Sequence, residues 1–200
     1  MHLSSFLLPL LGTAAKAFNL PLNCAPNNGT MTTPTYGTTD VIFTVCAQIT
    51  IHSCPLPIYD VLIDFPSYPA WNTFVYAVDV PSNVTSASDV YVGMPMTFYT
   101  TGLIPLVNST SNEQITYLQP DAVPPFVAWR FDGGVLGGLV MQAEHVSLLN
   151  DLGGGETEYV SWETYYGVGA LAVLALRGNL QKEFEDQATD LKARVESLED

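Results

Sequence analysis

Leu180-Gln181-Lys182-Glu183-Phe184-Glu185-Asp186-Gln187-Ala188-Thr189-Asp190-Leu191-Lys192-Ala193-Arg194-Val195-Glu196-Ser197-Leu198 closes the chain with a period that the preceding hundred residues lack. Leu180, Phe184, Gln187, Leu191, Val195 and Leu198 recur at spacings of three and four, with Lys, Glu and Asp between them. That pattern predicts an amphipathic helix with one apolar stripe. The N-terminal half of this helix, Leu171 to Leu176, is apolar on every side, so it is expected to be the part buried deepest. The apolar run from Val168 is too short to cross a hydrocarbon layer of roughly 30 Å.

A helix with one apolar face needs a surface to bury it on, and the residues before it supply one. Val41 to Ile51 is rich in β-branched and apolar residues and reads as a strong strand. A short apolar helix, Ile58 to Ile63, follows Ser53-Cys54-Pro55, and Pro66 and Pro69 break it before Trp71. Six more strands are expected over Thr73–Val80, Met94–Thr101, Gln114–Leu118, Phe126–Phe131, Leu139–Leu149 and Glu158–Tyr166. Turn chemistry joins them at Pro81-Ser82-Asn83, Pro120-Asp121, Asp132-Gly133-Gly134 and Gly153-Gly154-Gly155. Successive strands with tight turns pair antiparallel. The expected class is α+β: a curved antiparallel sheet of about seven strands wrapped around the long C-terminal helix, with two short helices after the first strand. The concave face then encloses a cavity, and such cavities are ligand sites by default.

Length and composition bound the rest. A chain of 200 residues fits one domain, and 48% hydrophobic against 13% charged residues describes a globular protein. Twenty acidic residues face six basic ones, a balance that repels nucleic acid and anionic headgroups. Neither nucleic-acid binding nor stable membrane insertion is expected. Residues 1–17 read as a signal peptide, with an apolar run from Leu3 to Leu11 and the small-x-small pattern Ala15-Lys16-Ala17 before Phe18. Residues 18–40 read as an irregular arm, and residues 41–200 as the domain. Asn28, Asn83 and Asn108 open N-x-Ser/Thr acceptors for N-glycans in stretches that read as loops, which fits a secreted protein.

Cys24, Cys46 and Cys54 are an odd set for an oxidising compartment. Cys46 and Cys54 lie eight residues apart on or at the end of one strand, beyond disulfide reach at ~3.3 Å per residue. Either Cys24 bridges to one of them and pins the arm, or all three are idle thiols.

Several phrases resemble the START-like superfamily, also labelled SRPBCC or polyketide cyclase/dehydrase-like. Pro57 to Asn72 is similar to the family's first helical hairpin, with Thr73 where the family usually has proline. Ala128-Trp129-Arg130, Gly137-Gly138, Glu144-His145, Trp162-Glu163-Thr164, Gly167 and Leu191-Lys192 extend the likeness over residues 41–198. The resemblance implies the helix-grip fold just described. It spans lipid carriers, hormone receptors, cyclases and aromatases, so it implies a cavity more firmly than a reaction. The first functional expectation is binding of a small hydrophobic ligand: a lipid, a sterol or a polyketide-like aromatic. The alternative is a cofactor-independent cyclase or dehydratase acting by acid/base chemistry.

Arg130, Glu144 and Glu163 are the candidate catalytic residues, because they interrupt apolar, aromatic strands. If the hairpin through Gly153-Gly154-Gly155 pairs Glu144 with Glu163, the two stand opposite one another on one face, with Arg130 beside them. Pointing inward, the trio makes a polar hook on the cavity wall. Pointing outward, it is a salt-bridge ladder on the solvated face. His145 adjoins Glu144, points the other way and reads as scaffold. Trp71, Tyr99, Tyr117, Trp129, Met141 and Tyr165 are the candidate ligand-binding residues. No nucleophile elbow, CxxC pair, phosphate-binding loop or HExxH motif is present, and neither cofactor nor metal is expected.

Overall fold

The computed structural model describes residues 18–25, 29–133 and 140–199. Strand β1 (Val41–Ile51) leads into α1 (Pro55–Ile63), where Pro55 occupies a first-turn position that needs no N–H. A 3₁₀ turn over Phe65–Ala70 follows. Then come β2 (Val75–Asp79), β3 (Pro95–Ile104), β4 (Val107–Gln119), β5 (Phe126–Phe131), β6 (Gln142–Gly153) and β7 (Glu156–Tyr166). Two helices close the described chain, α2 (Ala170–Leu174) and α3 (Arg177–Glu199). All seven strands form one antiparallel sheet in the order β1-β7-β6-β5-β4-β3-β2.

Helix α3 lies against the concave face and grips both ends of it. Leu180, Phe184, Gln187, Leu191 and Val195 are buried as the period requires, whereas Leu198 is exposed. The helix also satisfies the open edge of β1. Gln181 accepts from the Cys46 N–H at 3.1 Å and donates to its carbonyl at 2.7 Å. Arg177 donates to the Thr44 carbonyl, Lys192 donates to the Thr50 carbonyl, and Glu196 accepts from the His52 N–H. An edge so occupied no longer offers a template for another strand. Near β2, the Asp190 carboxylate accepts from the Thr73 N–H and hydroxyl. At Gly102 the sheet leaves no room for a side chain beneath the helix. The glycine's φ is +87°, and a Cβ there would sit 2.1 Å from the Glu183 carboxylate.

A second, smaller core lies on the convex face, under the arm. Met31 packs with Phe126, Val146, Leu148, Val160 and Trp162, joined by Phe18 and Leu20. Side-chain donors stitch the arm's backbone down: the Trp162 indole donates to the Thr32 carbonyl, the Thr164 hydroxyl to the Met31 carbonyl and the Tyr166 phenol to the Gly37 carbonyl. The Cys24–Cys46 disulfide ties the arm to β1 with Cα atoms 5.8 Å apart, and Cys54 is a free, exposed thiol. The convex face is therefore not the solvated surface that strand alternation implies.

Several expectations need correction. Strand β4 begins at Val107, seven residues before Gln114, so Asn108 lies on a strand beside the β3–β4 turn and not in a loop. Strand β6 runs from Gln142 to Gly153, and Leu139, its expected start, lies outside the described residues. The segment expected to be buried deepest is the reverse: Leu171 and Leu174 are exposed, as is Val168. Gly167, at φ +75°, turns the chain against the Val140 carbonyl, and α2 caps the open end of the concave face instead of entering it. Only its inner side, with Val173 followed by Leu176, meets the core. The signal-like segment 1–17 and Asn28 lie outside the described residues, while Asn83 and Asn108 are exposed. Among the described residues, no helix is long and apolar enough to cross a membrane.

Candidate functional site

Between α3 and the sheet lies a cavity of about 230 Å³. Its apolar wall comes from alternate residues of the strands and one stripe of the helix, including Phe98, Trp129, Phe131, Met141, Leu180 and Phe184. Period-two alternation along β4 turns Ser109, Ser111, Glu113 and Ile115 inward, so polar groups enter on this strand. Strand β7 contributes Glu163 and Tyr165 by the same alternation.

These groups form the polar end of the site. The Tyr165 phenol donates to Glu163 at 2.6 Å, and its ring stacks on Phe43 with centroids 4.4 Å apart. Burial raises the Glu163 carboxyl to about 7, an effect the Tyr165 hydrogen bond only partly offsets. Glu113 is buried to 6% exposure, and its Oε2 has no hydrogen-bond partner among the described residues. Its pKa is pushed well above the ordinary carboxyl value, first by burial and then by the nearby Glu163 charge, with the Ser111 hydroxyl opposing. Tyr165 is raised in turn by burial and by both carboxyls. The lining contains no lysine or arginine.

His145 also faces the cavity, paired across the sheet with Glu163. Its ring stacks on Trp129 with centroids 4.2 Å apart, and Nε2 sits within 3.1–3.2 Å of the Ser147 and Ser161 hydroxyls. Burial lowers its pKa to about 3, so the imidazole is neutral at physiological pH. A stacked, neutral, doubly hydrogen-bonded ring is an apolar wall with a polar rim. It holds Trp129 in place and carries no charge to the ligand.

The proposed trio is divided by the register. Glu144 pairs with Thr164, and Glu163 pairs with His145. One residue of offset from the expected pairing sends the two carboxyls to opposite faces. Glu144 and Arg130 are cross-strand neighbours on the convex side. Glu144, with no exposed surface, accepts from the Thr35 N–H at 2.9 Å and from the Thr35 and Thr116 hydroxyls at 2.6 and 2.8 Å. Arg130 donates to Gln114 at 2.8 Å. Both residues anchor the arm and its neighbourhood, so the arrangement is neither the hook nor the solvated ladder. Of the six candidate ligand-binding residues, Trp129, Met141 and Tyr165 line the cavity. Trp71 packs on Tyr68 and borders a separate surface recess near Arg194 and Leu198. Tyr99 donates to Asp79 on the other side of β3, and Tyr117 packs edge-on against Phe18 and beside Phe126 under the arm.

No family model matches the sequence, and no curated protein matches it. Solved structures do. A hypothetical protein from Helicobacter pylori superposes with a TM-score of 0.63 at 15% identity, over 92% of this chain and 98% of that one. The Zhui aromatase/cyclase from Streptomyces sp. R1128 gives 0.59 at 11% identity, over 76% and 93%. A START superfamily protein from Mycobacterium smegmatis gives 0.53 at 16% identity, over 78% and 98%. The chain has the START-like, helix-grip fold. At such low identity the likeness establishes the fold alone, and the START-like cavity of this chain has to be read from its own residues. What those residues offer is an aromatic and aliphatic box with two buried carboxyls and a phenol at one end. Such a box can desolvate a ring system and address one polar substituent.

Proposed function

We propose that the protein binds a compact hydrophobic molecule, of one or two rings, in the cavity between α3 and the sheet. The observation that carries this reading is the cavity itself, enclosed by aromatic walls and holding a few convergent polar groups. Its volume narrows the ligand class. At about 230 Å³ it exceeds the ~150 Å³ that suffices for benzene. It falls below the ~300–1,000 Å³ typical of drug-sized ligands. Among lipid, sterol and polyketide-like aromatic, size favours the small aromatic. Secretion belongs to the same proposal, supported by the signal-like segment, the Cys24–Cys46 disulfide and the exposed Asn83 and Asn108 sequons.

Ala143 provides the test. Its side chain lines the cavity and is 1% exposed, so Ala143→Phe projects a ring into the free volume. Isothermal titration with indole is expected to saturate for the native protein. The variant is expected to bind at least tenfold more weakly with an unchanged circular dichroism spectrum. Equal affinity in both proteins would place indole elsewhere and remove the cavity reading.

A second reading, proton-transfer catalysis of the cyclase or dehydratase type, is favoured by one observation. Glu163 sits near neutral in pKa, hydrogen-bonded to a phenol inside a desolvated aromatic box. Turnover of a bound compound separates it from simple carriage.

A further inference from the structure

The polar end of the cavity contains an imbalance that the protein does not resolve internally. Glu113 presents an unpartnered carboxyl oxygen from a nine-tenths-buried side chain that lines the cavity. Among the described residues, Glu163 accepts from the Tyr165 phenol. The neighbouring groups do not supply a positive charge: His145 on β6 is held neutral, Tyr165 on β7 is a phenol, and Ser111 on β4 offers a hydroxyl. Asp132, just beyond β5, adds a further negative influence on Glu113. Buried carboxyls without a counter-charge are costly, and the cost falls when a cation enters.

We propose that the ligand is a compact aromatic amine whose ammonium is held between the carboxyls of Glu113 and Glu163. This rests on the reading of the cavity as a ligand site and specifies the chemistry of its polar end. An ammonium donates up to three hydrogen bonds, so it serves the free Glu113 oxygen and Glu163 together. A carbonyl or ether has only acceptors, so it pairs with a carboxyl only in its protonated form and brings no counter-charge to either. The walls agree with this choice. Trp129, Phe131 and Tyr165 offer ring faces that attract a cation, and His145 in its neutral form does not repel one. The net charge of −14 raises the local concentration of cations around the molecule and lowers that of anions.

Matched probes test this. Isothermal titration of the native protein compares 2-phenylethylamine with 2-phenylethanol, which has the same size and shape without the charge. The amine is expected to bind at least tenfold more tightly. In Glu113→Gln/Glu163→Gln the amine-over-alcohol preference is expected to fall to within about twofold, with an unchanged circular dichroism spectrum as the folding control. Alcohol binding as tight as the amine in the native protein would overturn the amine inference while leaving the cavity a ligand site. Absence of binding by either probe at millimolar concentration would remove both readings together.

Discussion

Phe184→Ala is expected to destabilise the protein by about 3–5 kcal/mol, the range for deleting a fully packed aromatic ring. Phe184 is 2% exposed at the centre of the α3 stripe, and its ring lies 5.0 Å from that of His145. It is the point at which the helix meets the Trp129–His145 stack on the sheet. Truncation removes the contact and enlarges a cavity that is already present, so surrounding side chains have little to collapse onto. Leu198→Ala, on the same helix but 57% exposed, serves as the control and is expected to change stability by less than about 0.5 kcal/mol. Urea unfolding followed by circular dichroism measures both. A loss below ~1 kcal/mol for Phe184→Ala would mean that α3 is not held by the sheet in the way described.

Glu163→Gln is expected to flatten the pH dependence of folding stability between about pH 4.5 and 7. The folded-state pKa of Glu163, about 7, lies above the unfolded value of ~4.3. A group raised in this direction favours the folded state fully below its unfolded pKa. That contribution is lost as pH rises through the folded pKa, because the unfolded chain releases the proton first. The loss across the window amounts to roughly 3 kcal/mol. Glutamine keeps an acceptor for the Tyr165 phenol and has no proton to release. The variant should therefore match the native protein near pH 4 and exceed it above pH 7. Chemical denaturation at a series of pH values measures the difference curve, in which the self-repulsion of the other acidic residues largely cancels. Parallel curves for the two proteins would show that Glu163 is not desolvated.

The fold was legible because two periods are unambiguous. The three-four spacing from Leu180 to Val195 and the β-branched run from Val41 to Ile51 both reappear as helix and strand. The paired short helices after β1 follow from Pro55, Pro66 and Pro69. The site was harder to read, for reasons that are physical. Register decided it: pairing symmetric about Gly154 sets Glu144 opposite Thr164, which places Glu144 beneath the arm and Glu163 in the cavity. A pairing of Glu144 with Glu163 is one residue off that symmetry, and a slip of one residue exchanges the two faces. Glu113 went unrecognised because Asn108 to Gln114 is polar and contains a sequon, both features of loops. The signal was available in Ser111, Glu113 and Ile115, whose alternation continues the inward face of β4. The exposure of Leu171 and Leu174 could not be read from hydropathy, since it depends on the turn at Gly167 that sets the direction in which the chain leaves β7.

Native mass spectrometry of the protein isolated from its own host, with solvent extraction of whatever accompanies it, tests the cavity reading most directly. The expected result is a one-to-one complex with a hydrophobic compound of one or two rings, small enough for about 230 Å³, that competes with indole. A protein that carries no such compound and also fails to bind indole in titration would contradict the claim that this cavity is a ligand site.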